Sequence, residues 1–122
     1  MYAGRTKDSI RYGVILVGEE GTIRERIIKL LMEAQRPLSA SEIASILGLP
    51  AGSEKEVYEH IRHIAKTVRR TSGGKLAVYM VPPQCKKCGY TFKDLDKPRK
   101  PSRCPRCNSQ WIDPPRFYIA EA

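Results

Sequence analysis

The residues of this chain best equipped for chemistry are its four cysteines, Cys85-Lys86-Lys87-Cys88 and, fifteen residues further on, Cys104-Pro105-Arg106-Cys107. Two C-x-x-C pairs at this separation point to a metal, because each pair folds into a tight knuckle and two knuckles supply four thiolates to a tetrahedral ion. Gly89 follows the first knuckle, where the backbone must turn under the sulfurs without a side-chain clash. Disulfides are the competing use of four cysteines. They belong to small secreted chains, and no apolar h-region follows Met1. The expected cofactor is therefore one structural Zn2+ held by Cys85, Cys88, Cys104 and Cys107.

Iron is the alternative metal, since the same sulfur cage carries electrons when it holds iron. Cys85-x-x-Cys88-Gly89-Tyr90 resembles a rubredoxin first knuckle. Against iron, the span between the knuckles is shorter than a rubredoxin uses and is crowded with Lys93, Lys97, Arg99, Lys100 and Arg103. A basic, abbreviated cage points to a zinc ribbon. A four-thiolate zinc has no open position for water or substrate, and no Gly-rich phosphate loop or nucleophile motif occurs, so an enzyme is not expected.

The chain has 122 residues and 41% apolar content, which permits one domain or two very small ones with a modest core. No apolar run approaches a membrane span, so the expected location is cytoplasmic, away from membranes. The formal charge is +9, reduced to about +7 once four thiolates surround a divalent ion. Such a surplus suits an anionic partner, nucleic acid above all. Lys and Arg outnumber Asp and Glu ten to six over residues 22–75 and nine to four over residues 76–122.

The elements that must position these residues are legible in turn. Ile10 to Val17 has strand composition and ends at Gly18-Glu19-Glu20-Gly21. Thr22 with Glu25 forms a capping box that opens a helix carrying Ile23, Ile27, Leu30, Leu31 and Ala34 inward and Arg24, Arg26, Lys29 and Glu33 outward. Ser39 with Glu42 opens a short second helix bearing Ile43, Ala44, Ile46 and Leu47, ended by Gly48. Ser53 with Glu56 reads as a third capping box, opening a long helix through about Arg70 with Val57, Ile61, Ile64 and Val68 buried. After Thr71-Ser72-Gly73-Gly74, Leu76 to Val81 alternates as a strand.

Three helices with a short second, a turn, and a long third followed by a strand resemble a winged helix-turn-helix. The residues that carry this are Glu42-Ile43-Ala44-Ser45-Ile46-Leu47-Gly48-Leu49, with Val57 anchoring the recognition helix. Joined to the basic four-cysteine ribbon, they are similar to the archaeal family of predicted transcriptional regulators in which a winged helix is fused to a rubredoxin-like zinc ribbon. The resemblance covers residues 22 to about 118. It implies an α+β fold: a winged helix-turn-helix of three helices plus a small antiparallel wing, with the ribbon inserted in or following the wing.

A wing needs two antiparallel strands, yet Pro82-Pro83 and then Cys85 follow Val81 directly. Arg116-Phe117-Tyr118-Ile119-Ala120 is the expected partner, preceded by Pro114-Pro115 as a mirror of Pro82-Pro83, with the ribbon inserted between them; the alternative is a ribbon tethered as a separate C-terminal domain. The expected organisation is an N-terminal extension over residues 1–21, read either as a strand that adds to a sheet edge or bridges two subunits or as a disordered tail, then a winged helix-turn-helix over 22–83, the ribbon over 84–113, and a return strand of the wing over 114–122.

The candidate nucleic-acid contacts are Lys55, Arg62, Lys66, Arg69 and Arg70 on the third helix and Lys86, Lys87, Lys97, Arg99 and Lys100 on the ribbon. Glu54, Glu56 and Glu59 near the helix start oppose a simple recognition helix, because phosphates repel them. Tyr90 and Phe92 either stack on a base or cover the small metal core, and Trp111 reads first as such a cover. His60 and His63 lie three apart beside Glu56, a spacing open to a second metal and equally to an ordinary helix flank. The expected function is a zinc-stabilised, nucleic-acid-binding protein, a DNA-binding transcriptional regulator, with a homodimer as one possible form. The alternatives are a protein-interaction module that docks on transcription-machinery proteins and a rubredoxin-like iron electron carrier.

Overall fold

In a computed structural model describing residues 21–95 and 97–122, Thr22 caps the first helix, α1 (Ile23–Glu33). The capping box is complete. Thr22 Oγ1 accepts from Glu25 N at 3.1 Å, and Glu25 Oε1 accepts from Thr22 N at 3.0 Å, an arrangement whose loss costs about 1 kcal/mol. Ile27 and Leu31 are buried, with Ile23, Leu30 and Ala34 half-buried along the same stripe. Arg26 departs from its expected outward place: it is half-buried, and its guanidinium donates to Leu47 O at 3.0 Å, satisfying a carbonyl at the end of the next helix. The strand expected over residues 10–17 lies outside the described residues.

Leu38–Ser39 forms a two-residue strand, β1, that periodicity could not reveal. Ser39 then caps α2 (Ala40–Ile46), accepting from Glu42 N at 3.2 Å while Glu42 Oε1 accepts from Ser39 N at 2.9 Å. The Arg36 guanidinium, 2.8 Å from Glu42, together with the Ser39 N–H, holds the Glu42 carboxyl down to about 2. Gly48 adopts φ +72° just beyond the helix, the left-handed end its sequence position calls for. Ile43 and Ala44 are buried, whereas Ile46 is 56% exposed.

The third helix, α3 (Glu54–Thr71), buries Val57, Ile61, Ile64 and Val68 as expected. Its expected capping box is absent. Ser53 sits at ψ 1° instead of in the extended conformation a capping side chain needs, and its hydroxyl turns back to donate to Pro50 O. Glu54 and Glu56 in the first turn and Arg69 and Arg70 in the last complement the helix dipole instead.

The sheet contains the return strand that the mirrored proline pairs call for. β2 (Leu76–Val81) pairs antiparallel with β5 (Arg116–Glu121) along its whole length, from Leu76 opposite Glu121 to Val81 opposite Arg116. Beyond the prolines, β3 (Gln84–Cys85) pairs with β4 (Ile112–Asp113), Gln84 facing Asp113 and Cys85 facing Ile112. Three residues forward on one side are matched by three back on the other, so both ladders belong to one hairpin in one register. The interruption is chemical: Pro82, Pro83, Pro114 and Pro115 have no N–H to donate.

β5 also pairs with β1, Leu38 opposite Phe117, so the sheet order is β1-β5-β2 and β5 is its central strand. Phe117 is 1% exposed in the core formed with the helices, and its ring meets Tyr58 of α3 edge-on at a centroid distance of 6.1 Å. The fold is α+β, with three helices among the described residues, antiparallel sheets and a four-cysteine ribbon at the tip of the hairpin.

Because Phe117 belongs to the helical core, Phe117→Ala lowers the stability of the whole helical half by about 3–5 kcal/mol. Urea unfolding followed by far-UV circular dichroism measures this. Deleting residues 114–122 removes the central strand and abolishes the cooperative helical transition, whereas a ribbon tethered as a separate unit would leave that transition unchanged.

Candidate metal centre and basic surface

The two knuckles are built alike. Gly89 N donates to Cys85 O and Asn108 N to Cys104 O, both at 2.9 Å; Cys85 N donates to Tyr90 O and Cys104 N to Ser109 O, both at 2.8 Å. Each turn passes through the left-handed region one residue after its second cysteine, Gly89 at φ +82° and Asn108 at φ +64°. Glycine enters that region freely, and asparagine is among the few other residues that do so at low cost. Asn108 is a functional position that the sequence reading missed, although C-x-x-C-Asn stands beside C-x-x-C-Gly as its signal.

Folded this way, the knuckles bring all four sulfurs within 4.8 Å of one another. The short separations cross between knuckles, Cys85 Sγ to Cys107 Sγ and Cys88 Sγ to Cys104 Sγ, each 3.6 Å. A disulfide would require about 2 Å. A tetrahedral ion with metal–sulfur bonds of about 2.3 Å requires edges of about 3.8 Å, which these distances match. The backbone N–H of Cys88 points at Cys85 Sγ (3.5 Å) and that of Arg106 at Cys104 Sγ (3.3 Å), and Arg106 Nη2 ties the knuckles together by donating to Cys88 O at 2.9 Å.

The thiols press against one another electrostatically. The N–H of Cys88, with that of Lys87, holds the Cys85 thiol down to about 6 against the effect of burial. Cys88 is likewise lowered, chiefly by the N–H of Tyr90. Cys107 goes up to about 11, because the help of the Ser109 N–H is outweighed by burial and the three neighbouring sulfurs. The donor set therefore fits a metal ion: four cysteines cluster to hold one in the ribbon. A tetrahedral ion held there would have all four positions taken by sulfur.

Tyr90 and Phe92 pack over this cage, their rings edge-to-face at 5.0 Å, and Ile112 is buried beneath it. Trp111, expected to share that cover, stands 63% exposed with Lys86 Nζ 5.8 Å from its ring centroid.

All ten candidate basic residues, Lys55, Arg62, Lys66, Arg69, Arg70, Lys86, Lys87, Lys97, Arg99 and Lys100, are exposed. Two sets converge where the ribbon folds back on α3: Arg62 holds Glu59 at 2.7 Å, Lys97 also lowers the Glu59 carboxyl, and Arg62 and Lys97 line the same cleft. His60 is not gathered into a second metal site. It accepts from Arg24 Nε at 3.1 Å through Nδ1, and the only metal-like cluster among the described residues is that of the cysteines. No helix among the described residues is long and apolar enough to cross a membrane.

Comparison with known families matches residues 22–76 to a family described as PF0610-like, N-terminal, and residues 82–121 to the PF0610 rubredoxin-like zinc beta-ribbon domain. Among solved structures, the solution NMR structure of protein PF0610 from Pyrococcus furiosus is 38% identical, with a TM-score of 0.66 over 84% of this chain and 94% of that one. No curated protein matches.

Since metal binding and ribbon folding are one event in a cage of this kind, a strong chelator at neutral pH collapses the amide dispersion of residues 84–113 in an 15N correlation spectrum. Helical signals persist in that state with a lower urea midpoint, because β5 must still return to the centre of the sheet across an unclosed loop.

Proposed function

This chain belongs to the PF0610 family, and on that premise we propose that it is a zinc-stabilised, DNA-binding winged helix-turn-helix protein, a cytoplasmic transcriptional regulator with no catalytic role. α2, the turn through Gly48 and α3 correspond to the helix-turn-helix, and the β2–β5 hairpin to a wing whose tip has grown into the ribbon. The single observation that supports the reading is the meeting of one α3 cation, Arg62, with one ribbon cation, Lys97, at a shared cleft, while the other candidate cations are exposed. In this mechanism Lys66, Arg69 and Arg70 on α3, with Lys86, Lys87, Arg99 and Lys100 on the ribbon, neutralise phosphates and set the register. Lys55 and Arg62 contribute less, being set among Glu54, Glu56 and Glu59.

Zinc is the metal in this reading. The matched ribbon family is described as a zinc ribbon, and a closed cage beside an exposed basic surface suits a structural ion. Trp111, next to Lys86 and free of the core, supplies an aromatic face for an unpaired base or a sugar edge.

A second reading, a docking module for a protein of the transcription machinery, is favoured by the acidic first turn of α3, where Glu54 and Glu56 occupy the end that usually approaches bases.

Metal analysis of the purified protein gives one zinc per chain and a colourless solution. A red solution absorbing in the visible would assign iron and the electron-carrier alternative. Affinity for random duplex DNA falls as salt rises, with a log–log slope of about −0.9 for each phosphate neutralised. Lys66→Ala with Arg70→Ala, and separately Lys97→Ala, Arg99→Ala and Lys100→Ala together, each reduce that slope by about two to three units. Quenching of Trp111, the sole tryptophan, reports whether the ribbon is at the contact. A salt-independent affinity would remove the phosphate-contact reading.

A further inference from the structure

β2 is an edge strand of the sheet among the described residues, and part of its outer edge is left unbonded there. Ala122 N donates to Lys75 O at 2.9 Å, which fixes the phase of the ladder: Ala77, Tyr79 and Val81 turn their N–H and C=O groups toward β5, and Leu76, Val78 and Met80 turn theirs to the outer edge. Leu76 N is taken by Ser72 Oγ at 3.0 Å. The outward groups of Val78 and Met80 have no hydrogen-bond partner among the described residues. Monomeric proteins blunt such an edge with lysine, proline or a bulge, and Leu76–Val81 carries none of these.

Ile61, Arg62 and Ala65 of α3, Leu95, Lys97 and Pro98 of the ribbon loop, Val78, Tyr79 and Met80 of β2 and Phe117 of β5 line an open cleft of about 180 Å³. Its walls are apolar and its rim cationic: Arg62 is balanced by Glu59, and Lys97 has no ion-pair partner among the described residues.

We propose that this cleft is a docking groove for an extended acidic peptide of a partner protein, which adds to β2 as a further strand. Its backbone bonds Val78 and Met80, one aliphatic side chain enters between Ala65 and Pro98, and flanking carboxylates meet Lys97 and Arg62. Backbone pairing supplies the affinity, and the pocket and rim supply the selection. The groove goes beyond the DNA reading and does not depend on it, since peptide binding is measured without nucleic acid.

The test uses the full, zinc-loaded, 15N-labelled chain and amide hydrogen exchange at Val78 and Met80. The probe is an N-acetylated, C-amidated heptapeptide alternating glutamate with valine and leucine. The expected result is fast exchange in the free protein and slowing by about tenfold or more at millimolar peptide. A peptide of the same sequence, N-methylated at alternate residues, gives no slowing, and Ala65→Glu or Lys97→Glu weakens binding by about tenfold while the fold, read from the remaining amides, is retained. Three results overturn the proposal. Slow exchange in the free protein at every concentration assigns the edge to a segment of this chain outside the described residues. Slow exchange that grows with protein concentration assigns it to a second copy. No slowing with the peptide, or equal effects of the methylated and unmethylated peptides, removes the groove as a peptide site.

Discussion

The central strand of the sheet is also the one that must travel furthest to reach its place. β5 lies between β1 and β2, and its Phe117 joins a core made mainly by α1, α2 and α3 together with Leu38 of β1. Between β2 and β5 runs residues 82–115, a loop whose closure costs entropy before any contact of Phe117 offsets it. The thiolate cage divides that loop. A metal held by Cys85, Cys88, Cys104 and Cys107 would tie together the segments that already pair as β3 and β4, leaving only the proline pairs to cross. The metal site and the helical core are thus coupled through one strand, although no cysteine touches a helix core residue.

The basic residues around the cage have two kinds of work. Four thiolates and a divalent ion leave a charge of minus two, and nearby cations lower the cost of holding it. Arg106 also bonds across from one knuckle to the other, and Lys86 donates its backbone N–H to Trp111 O at 2.9 Å while its ammonium lies beside the indole. Part of the ribbon's positive charge is therefore committed to its own architecture. Lys97, Arg99 and Lys100, away from the cage and exposed, carry the remainder outward.

What the sequence disclosed were features whose cause is local. The boxes at Thr22 and Ser39 and the left-handed Gly48 depend on residues within one turn of one another, the stripe of α3 and the two C-x-x-C knuckles repeat such local steps, and each took its expected form. Ser53 was unreadable because the same Ser-x-x-Glu pattern caps only if the backbone arrives extended, and the turn through Pro50 delivers it otherwise. β1 exists only because β5 comes to pair with it, a non-local fact for which two residues leave no trace. Trp111 was misplaced for the opposite reason: an indole near a metal core suggests cover, but Tyr90 and Phe92 already fill that role. The pairing of β2 with β5 was legible from symmetry alone, two proline pairs flanking two apolar runs.

The unbroken register of the hairpin has a consequence for how the molecule would hold a ligand that touches both halves. A ribbon on a flexible linker would sample many positions, and its second contact would be favoured only by the average concentration the linker allows. Here the two crossings are proline pairs with fixed φ, and the Cα partners stay in step on the far side, although the bonded pairs pass from the odd residues of β2 to Gln84 and Lys86. The spacing between α3 and the ribbon is set by strand twist, like the jaws of a caliper locked at one opening. Two individually weak contacts would then act as one, but only for a surface whose features repeat at that distance, so the gap itself becomes a criterion of selection.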